Sequence, residues 1–198
     1  MKSYQIAEYN RIFLENIIKE GSFCIDETAG GGNDTVFLAR KVGRDGKVLA
    51  MDIQQAALDK TAIRLEREGL EKRVELVLDT HAKLLSYAEI NSADVIMFNF
   101  GYFPGGDHKI HTKAESSIEA IQAGLQILRK DGAMSLCIYS GGDSGFEERN
   151  AILDYLKTLN SKQYLVILSE YYNRPNHPPI PVLILSLIHI SEPTRPIS

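Results

Sequence analysis

The sequence of 198 residues has no tryptophan and only two cysteines. Cys24 and Cys137 both fall inside apolar runs, so we expect buried thiols in a reducing compartment, the cytoplasm, with a disulfide or a metal site as the weaker alternative. His108 and His111 have a spacing that could suit a metal ion, but only Asp107 stands near them as a third ligand. We therefore predict no metal site.

The sequence also lacks a long apolar run and a strong excess of one charge. No segment is long enough to span a membrane, and residues 1–20 are too charged for a signal peptide. The net charge of −4 excludes a uniformly basic surface, so any contact with nucleic acid must be local. A content of 44% hydrophobic and 24% charged residues is that of a globular protein, and the length predicts one domain, which we assign to residues 1–184.

A glycine-rich segment, Asp26–Thr35, is the most informative part of the chain. It follows the apolar run Phe23–Ile25 and precedes the amphipathic run Val36–Ala39, which together predict a strand, a turn and the start of a helix. Three consecutive glycines are costly in backbone entropy, and glycine lets a ligand approach the backbone closely because it has no Cβ. This pattern favours a ligand-binding turn over a merely structural one.

The details of this turn indicate which cofactor it binds. A dinucleotide-binding fingerprint would have another glycine at Thr35. Gly30 and Gly32, preceded by Asp26, resemble motif I of class I S-adenosylmethionine (SAM) methyltransferases instead. Asp52 ends the next apolar run, where a carboxylate can accept hydrogen bonds from both ribose hydroxyls. We therefore predict SAM as the cofactor, with a nicotinamide cofactor as the alternative.

Strand and helix patterns alternate along the chain, which predicts an α/β fold with a parallel sheet and right-handed crossovers. The predicted strands are Phe23–Asp26, Lys47–Asp52, Val74–Leu78, Asp94–Phe98, Ala133–Tyr139, Tyr164–Tyr171 and one beginning at Ile180. The predicted helices are Tyr4–Lys19, Asp34–Val42, Gln54–Glu68, Lys113–Leu128 and Gly145–Leu159. Four polar residues, Asp26, Asp52, Asp79 and Asn99, stand at strand ends, which predicts one shared site rather than four separate helix caps.

The segment after the fourth strand carries the most specific chemical signal. Asn99–Tyr102 resembles motif IV of enzymes that methylate nitrogen, with both prolines of that motif replaced. In such a motif the amide oxygen of Asn99 orients the acceptor amine, and the ring of Tyr102 packs on a flat base. Positioning of this kind supplies much of the rate of an in-line displacement. Asp107 or His108 would accept the proton, and the alternative is a glycine-rich surface loop.

Together these motifs resemble a bacterial family of rRNA methylases that is related to the tRNA 5-aminomethyl-2-thiouridine methyltransferase. The resemblance lies in the segments Asp26–Thr35, Phe37–Ala39, Asp52–Gln54, His81, Asn99–His108, Thr112–Ala114, Tyr139–Glu148 and Asn173–Pro179. It implies a Rossmann-like class I methyltransferase fold, with a mostly parallel seven-stranded sheet, helices on both faces and an antiparallel last strand. It also implies methylation of the aminomethyl group at the wobble uridine of tRNA. An rRNA or small-amine methyltransferase and a non-catalytic SAM-binding module are the alternatives.

The same resemblance implies which residues hold the ligands. The expected SAM-binding residues are Asp26, Gly30, Gly31, Gly32, Asn33, Asp52, Gln54, Thr80 and His81. Arg174 and Asn176 are expected to contact the substrate, Arg174 through a phosphate. The chain departs from the family at Gly31, often Asn, at Gly142, often His, and at Arg174, commonly Gln. Lys109, Lys113, Arg149 and Arg174 are the basic residues considered for tRNA, at the chain surface or in the groove of a homodimer, although a solvated role is the alternative for each.

The end of the sequence has a different character. Leu185–Arg195 resembles the in-frame translation of a transposase adapter used in DNA sequencing libraries. We therefore expect residues 185–198 to be a non-native tail, which would truncate the last strand. In that case His189 has no functional meaning.

Overall fold

The computed structural model describes residues 6–100, 114–140 and 145–188. The strands are β1 Phe23–Asp26, β2 Lys47–Asp52, β3 Val74–Leu78, β4 Ala93–Phe100, β5 Leu128–Ile138, β6 Tyr164–Leu168 and β7 Ile180–Ser186. The helices are α1 Ile6–Leu14, α2 Asn33–Lys41, α3 Gln55–Glu68, α4 Ala114–Ile127 and α5 Gly145–Thr158, and two 3-10 turns cover Glu71–Arg73 and His81–Ser86.

The seven strands form one sheet in the order β3-β2-β1-β4-β5-β7-β6. Strands β1 to β5 pair in parallel, whereas β7 lies antiparallel between β5 and β6. The order reverses at β1, whose two neighbours are β2 and β4, and ligands of open α/β sheets bind at such a point, beyond the carboxyl ends of the strands. The predicted fold, including the antiparallel last strand, is confirmed.

Both faces of the sheet are covered by helices because successive side chains of a strand point to opposite faces. Within β1, Ile25 belongs to a buried cluster with residues of α4 and α5, and Cys24 belongs to a second cluster with residues of α1, α2 and α3. In β4, Phe98 faces the first cluster and Met97 the second. These two apolar layers fix the register of the central strands and hold their carboxyl ends side by side.

Three element boundaries differ from the predicted ones by three residues or more. Helix α1 ends at Leu14 rather than Lys19, because the Ile17 N–H bonds to the Leu14 carbonyl and tightens the next residues into a turn. Strand β6 ends at Leu168 rather than Tyr171, since the next partner in the ladder is Pro181, which has no N–H to donate. Strand β5 begins earlier, at Leu128, with an irregular pairing before Ala133.

Both cysteines are buried free thiols, as predicted. Within residues 6–100, 114–140 and 145–188, none of the helices has the length and apolar character needed to cross a bilayer. The same described residues contain no group of three acidic, histidine or cysteine side chains that could hold a metal ion.

Candidate active site

The glycine turn between β1 and α2 packs directly on helix α3. Gly30 and Gly32 have φ angles of 54° and 77°, a conformation that glycine adopts without steric cost. A Cβ at Gly32 would lie 3.1 Å from Oγ1 and 3.2 Å from Cα of Thr61. The Thr61 hydroxyl in turn donates a hydrogen bond to the Gly30 carbonyl at 3.2 Å. The turn is therefore held in one shape, and only glycine fits at its second positive-φ position.

Asp52, at the end of β2, connects this turn to the start of α3. Its Oδ2 accepts the Gly30 N–H at 2.9 Å, and its Oδ1 accepts the Gln54 N–H at 2.9 Å. A carboxylate oxygen has two acceptor sites, so each oxygen retains capacity for another donor. Asp52 is only partly buried. A partly exposed carboxylate with spare acceptor sites beside a close-approach glycine turn fits the ribose of a nucleoside cofactor.

Asp26, by contrast, lies completely inside the protein. Its Oδ2 accepts the Thr35 hydroxyl at 2.6 Å, and its Oδ1 accepts the Thr28 N–H at 3.2 Å. Burial, reinforced by the negative charge of Asp34, raises the pKa of Asp26 to about 7, although the two hydrogen bonds oppose this rise. A fully enclosed carboxyl group has no surface for a ligand. If Asp26 contributes to cofactor binding, as predicted, it does so by fixing the shape of the loop and not by direct contact.

Glu27, the next residue, was not anticipated as a site residue. Its side chain is 2% exposed, and neither carboxylate oxygen has a hydrogen-bond partner among the described residues. Burial raises the pKa of Glu27 well above its usual value, and the charge of Asp26 adds to the effect. Among the described residues, the protein thus holds an uncompensated acidic group three positions before Gly30, just after the end of β1, and nothing in the sequence around Asp26 and Thr28 signalled its burial.

Asn99 lies near the end of β4, beside the turn. Its backbone N–H donates to Thr28 Oγ1 at 2.9 Å, which joins the tips of β1 and β4. Its side-chain Nδ2 donates to Asp34 Oδ2 at 2.8 Å. The other oxygen of Asp34 accepts from Nε and Nη2 of Arg11 at 2.8 and 2.6 Å. The candidate catalytic amide is therefore held in a network that reaches from β1 through α2 to α1.

The remaining candidates for SAM binding lie around the same edge. The Thr80 hydroxyl caps the 3-10 turn by accepting the Ala82 N–H at 3.3 Å. His81 is 8% exposed, and burial lowers its pKa, although Asp52 and Glu119 act in the opposite direction. The effect of Asp52 on this pKa places His81 near the residue that is predicted to hold the ribose. The Asn33 side-chain oxygen accepts a hydrogen bond from Arg64.

Asp79, the polar residue after β3, is engaged in local contacts. Its carboxylate accepts hydrogen bonds from the Tyr87 hydroxyl and from the Thr80 N–H, each at 2.8 Å. Lys83 forms an ion pair with it at 3.1 Å. The hydrogen bond from Tyr87 is the main reason that the pKa of Asp79 is lowered. These contacts fix the turn that carries His81.

The candidate substrate residues lie in the segment that leads into β7. Arg174 is exposed, and its guanidinium lies 5.4 Å from the centre of the Tyr171 ring. Asn176 adopts a φ angle of 66°, which asparagine tolerates. The following residue, His177, packs edge-to-face on Phe146 at 5.1 Å, and Arg149 covers Phe146 at 4.8 Å. Basic side chains therefore contact aromatic rings in two groups, Arg174 with Tyr171 and Arg149 with Phe146.

Of the four candidate catalytic residues, Asn99 alone falls in the described part of the chain. Tyr102, Asp107 and His108 lie outside the described residues, and so do Lys109 and Lys113. Among the residues that the structure adds, Arg11, Thr28 and Asp34 contact Asn99 or its partner. Sequence reasoning took Asp34 only as the start of a helix. An acid there is common because the helix dipole favours it, so the sequence held no signal for its second role.

Comparison with known proteins identifies the family of the chain. Residues 48–185 match the model of the family described as "Putative rRNA methylase". The chain belongs to this family. It is also 31% identical over 181 residues to the chloroplastic tRNA (mnm(5)s(2)U34)-methyltransferase of Arabidopsis thaliana. That match covers 87% of this chain and 66% of the Arabidopsis enzyme, so the chain spans just under two thirds of that relative's length.

Two solved structures are similar over nearly the whole chain. An rRNA methylase from Clostridium thermocellum, described as putative, is 36% identical with a TM-score of 0.90, covering 94% of this chain and 100% of its own. A methyltransferase from Streptococcus mutans, solved in complex with S-adenosylhomocysteine (SAH), is 32% identical with a TM-score of 0.85 and the same coverage. The predicted family, the enzyme class of SAM-dependent methyltransferases and the predicted cofactor are confirmed.

Proposed function

We propose that this rRNA methylase family member methylates the amine of 5-aminomethyl-2-thiouridine at the wobble position of tRNA. One observation carries the proposal of nitrogen as acceptor. Asn99 stands at the end of β4 beside the glycine turn, with its Nδ2 engaged by Asp34 at 2.8 Å. Its Oδ1 has no hydrogen-bond donor among the described residues of the chain. A carbonyl oxygen presented beside the cofactor turn suits an incoming N–H donor.

The chemistry asks little of the protein beyond positioning. Bound SAM supplies an electrophilic methyl group. The neutral amine attacks with its lone pair as the carbon–sulfur bond breaks, and the nitrogen then loses a proton. The Asn99 oxygen, by accepting one N–H of the amine, directs the lone pair along the line of attack. The predicted proton acceptors, Asp107 and His108, lie outside the described residues.

The choice of tRNA rests on relatives and on surface chemistry. The Arabidopsis relative is named for the wobble uridine of tRNA, and it matches 87% of this chain. Phe146, Arg149 and His177 combine a basic group with flat rings, and Arg174 lies over the ring of Tyr171. Such surfaces bind single-stranded loops, where unstacked bases lie on aromatic or guanidinium planes. A cytoplasmic location, action as a homodimer and a bacterial source belong to the same proposal.

The deciding experiment uses tRNA that carries the unmethylated aminomethyl group, incubated with SAM and the protein. Nucleosides are then released and analysed by mass spectrometry. We expect a gain of one methyl group on 5-aminomethyl-2-thiouridine, and its loss with Asn99→Ala. Asn160→Ala is the matched control, since Asn160 is an exposed asparagine just before β6, at the opposite edge of the sheet.

Other outcomes separate the alternatives. Methylated rRNA or free amines together with unmethylated tRNA would move the assignment to one of those acceptors. SAM binding by calorimetry without transfer to any of the three would favour a non-catalytic binding module. Equal activity of Asn99→Ala and Asn160→Ala would contradict the role of Asn99 whatever the acceptor.

A further inference from the structure

Asp34 uses both of its carboxylate oxygens on functional neighbours. Oδ1 accepts two hydrogen bonds from Arg11, from Nε at 2.8 Å and from Nη2 at 2.6 Å. Oδ2 accepts Nδ2 of Asn99 at 2.8 Å. The Asp34 residue is 6% exposed, so water does not compete freely for these oxygens. The carboxylate therefore cannot rotate without breaking contacts to helix α1 or to strand β4.

These contacts decide which way the Asn99 amide points. An asparagine side chain has a donor end and an acceptor end, and either end fits many sites. A carboxylate only accepts hydrogen bonds, so Asp34 selects the Nδ2 end of Asn99. The Thr28 Oγ1 lies 3.5 Å from the same Nδ2 and accepts the Asn99 backbone N–H at 2.9 Å. The acceptor end, Oδ1, is left facing away from Asp34.

We propose that Asp34, held by Arg11, is a positioning residue that orients the Asn99 amide with Oδ1 toward the acceptor amine. The catalytic consequence of this role rests on the proposed function, whereas the orientation itself does not. Without the carboxylate the side-chain amide of Asn99 is free to rotate so that its oxygen and its NH2 group exchange places. Its NH2 group would then face the N–H bonds of the acceptor, and the lone pair of the amine would no longer be aimed at the methyl group.

The first test measures the orientation without any substrate. In a spectrum of nitrogen-15-labelled protein, the side-chain NH2 pair of Asn99 is the pair that is missing from Asn99→Ala. Hydrogen bonding slows the exchange of these protons with water, so we expect slow exchange in the unchanged protein. Asp34→Asn should accelerate the exchange by about tenfold or more, the factor that corresponds to 1.4 kcal/mol of lost hydrogen bonding. Unchanged exchange would overturn the proposal.

The second test measures kcat and KM for the tRNA in a double-mutant cycle. We expect Asp34→Asn to lower kcat by about tenfold to a hundredfold with KM for tRNA unchanged, as for a misdirected reacting group. If Asp34 acts through Asn99, adding Asp34→Asn to Asn99→Ala should lower kcat no further. A kcat loss that adds fully to that of Asn99→Ala, or a kcat of Asp34→Asn equal to that of the unchanged protein, would contradict the positioning role.

The chain offers a matched control at the other end of β4. Asp94 is also buried, pairs through one oxygen with Arg129, and accepts the Phe23 N–H through the other at 2.9 Å. Asp94→Asn removes a comparable buried charge far from Asn99, so it should leave both the Asn99 exchange rate and kcat unchanged. If it lowers kcat as strongly as Asp34→Asn does, the effect is one of general stability and the proposal fails.

A second variant keeps the test usable if Asp34→Asn does not fold. Arg11→Met removes the two hydrogen bonds to one oxygen of Asp34. It should raise the exchange rate and lower kcat, as Asp34→Asn does, but by a smaller factor. No change in either quantity would count against the proposal. Failure of the tRNA assignment gives a different result. If the protein methylates no tRNA, but exchange of the Asn99 NH2 protons is slow and is accelerated by Asp34→Asn, the orientation is supported. Only the proposed acceptor is then wrong.

Discussion

The carboxylate of Asp52 accepts the backbone N–H of Gly30 at 2.9 Å, across 22 positions of sequence. This bond fastens the tip of β2 to the glycine turn after β1, and the bond from Gln54 to the same carboxylate fastens the start of α3. The residue predicted to hold the ribose therefore also sets the shape of the turn that approaches it.

Replacing Asp52 should consequently weaken cofactor binding in two ways. We expect Asp52→Ala to lower SAM affinity by about tenfold or more, because it removes charge-assisted bonds that each contribute about 1.5–3 kcal/mol. Calorimetric titration with SAM measures the effect. Asp45→Ala, at an exposed aspartate before β2 at the opposite edge, should bind SAM normally. Equal affinities for the two variants would show that Asp52 does not contribute to the cofactor site.

Gly32 and Gly69 form a natural pair for testing the turn. Both have positive φ angles, 77° and 65°, but a Cβ would meet Thr61 at 3.1 Å in the first case and nothing within 4 Å in the second. Gly69→Ala should therefore lower the free energy of unfolding only by the cost of a Cβ at a positive φ angle, about 1–2 kcal/mol. Gly32→Ala should lose more stability, and SAM affinity in addition. Urea unfolding of both variants makes the comparison, and equal losses would argue against close packing of the turn on α3.

The stability of the protein should depend on pH through Glu27. Burial raises its pKa in the folded state, so the folded protein keeps a proton that the unfolded chain releases above its ordinary pKa of about 4.3. The resulting stability is full below that pH and is lost as the pH rises toward the folded pKa. Glu27→Gln removes this dependence. The free energy of unfolding of the variant, relative to that of the unchanged protein, should therefore rise by about 1 kcal/mol or more between pH 5 and pH 8.

Urea unfolding at the two pH values, without SAM, measures this change. Glu66→Gln, at an exposed glutamate of α3, is the control and should show no such gain. A Glu27→Gln variant whose stability parallels the unchanged protein at both pH values would mean that the Glu27 carboxyl is ionised in the fold and has found a compensating partner.

Arg174 should contribute to RNA affinity rather than to chemistry. If its guanidinium meets a phosphate, Arg174→Ala weakens tRNA binding and reduces the slope of log affinity against log salt by about one unit. The value of kcat at saturating tRNA should stay the same. Arg44→Ala, at an exposed arginine of the turn before β2, is the comparison. Tight, equally salt-sensitive binding by both variants would exclude Arg174 from the tRNA contact.

The sequence predicted the fold well because strand and helix periods are local properties of the chain. Six of the seven strands start within one residue of their predicted positions, and the exception, β5, gains an irregular stretch at Asp131 and Gly132 before its regular pairing with β4. The end of β6 was misjudged because it depends on Pro181 in another strand. Such cross-strand effects are absent from any local pattern.

The candidate site was predicted only in part for the same reason. Asp52, Asn99 and the glycines are recognisable because their spacing around a strand and a turn is short. The pairing of Arg11 with Asp34 spans 23 positions and that of Asp34 with Asn99 spans 65. Partners so distant are brought together by the stacking of α1, α2 and β4 in the finished fold. Sequence patterning could name the catalytic candidate but not the residues that orient it.

The position of β7 between β5 and β6 has a consequence for how the chain matures during synthesis. Among the described strands, β6 is joined to the sheet through β7 alone, and β7 reaches to Ser186. Strands β1 to β5 can therefore assemble while the ribosome is still translating, but β6 must wait, unpaired, until residue 186 emerges. During that interval the edge of β5 and the strand β6, both of which β7 later pairs with, remain open to chaperones and to wrong partners.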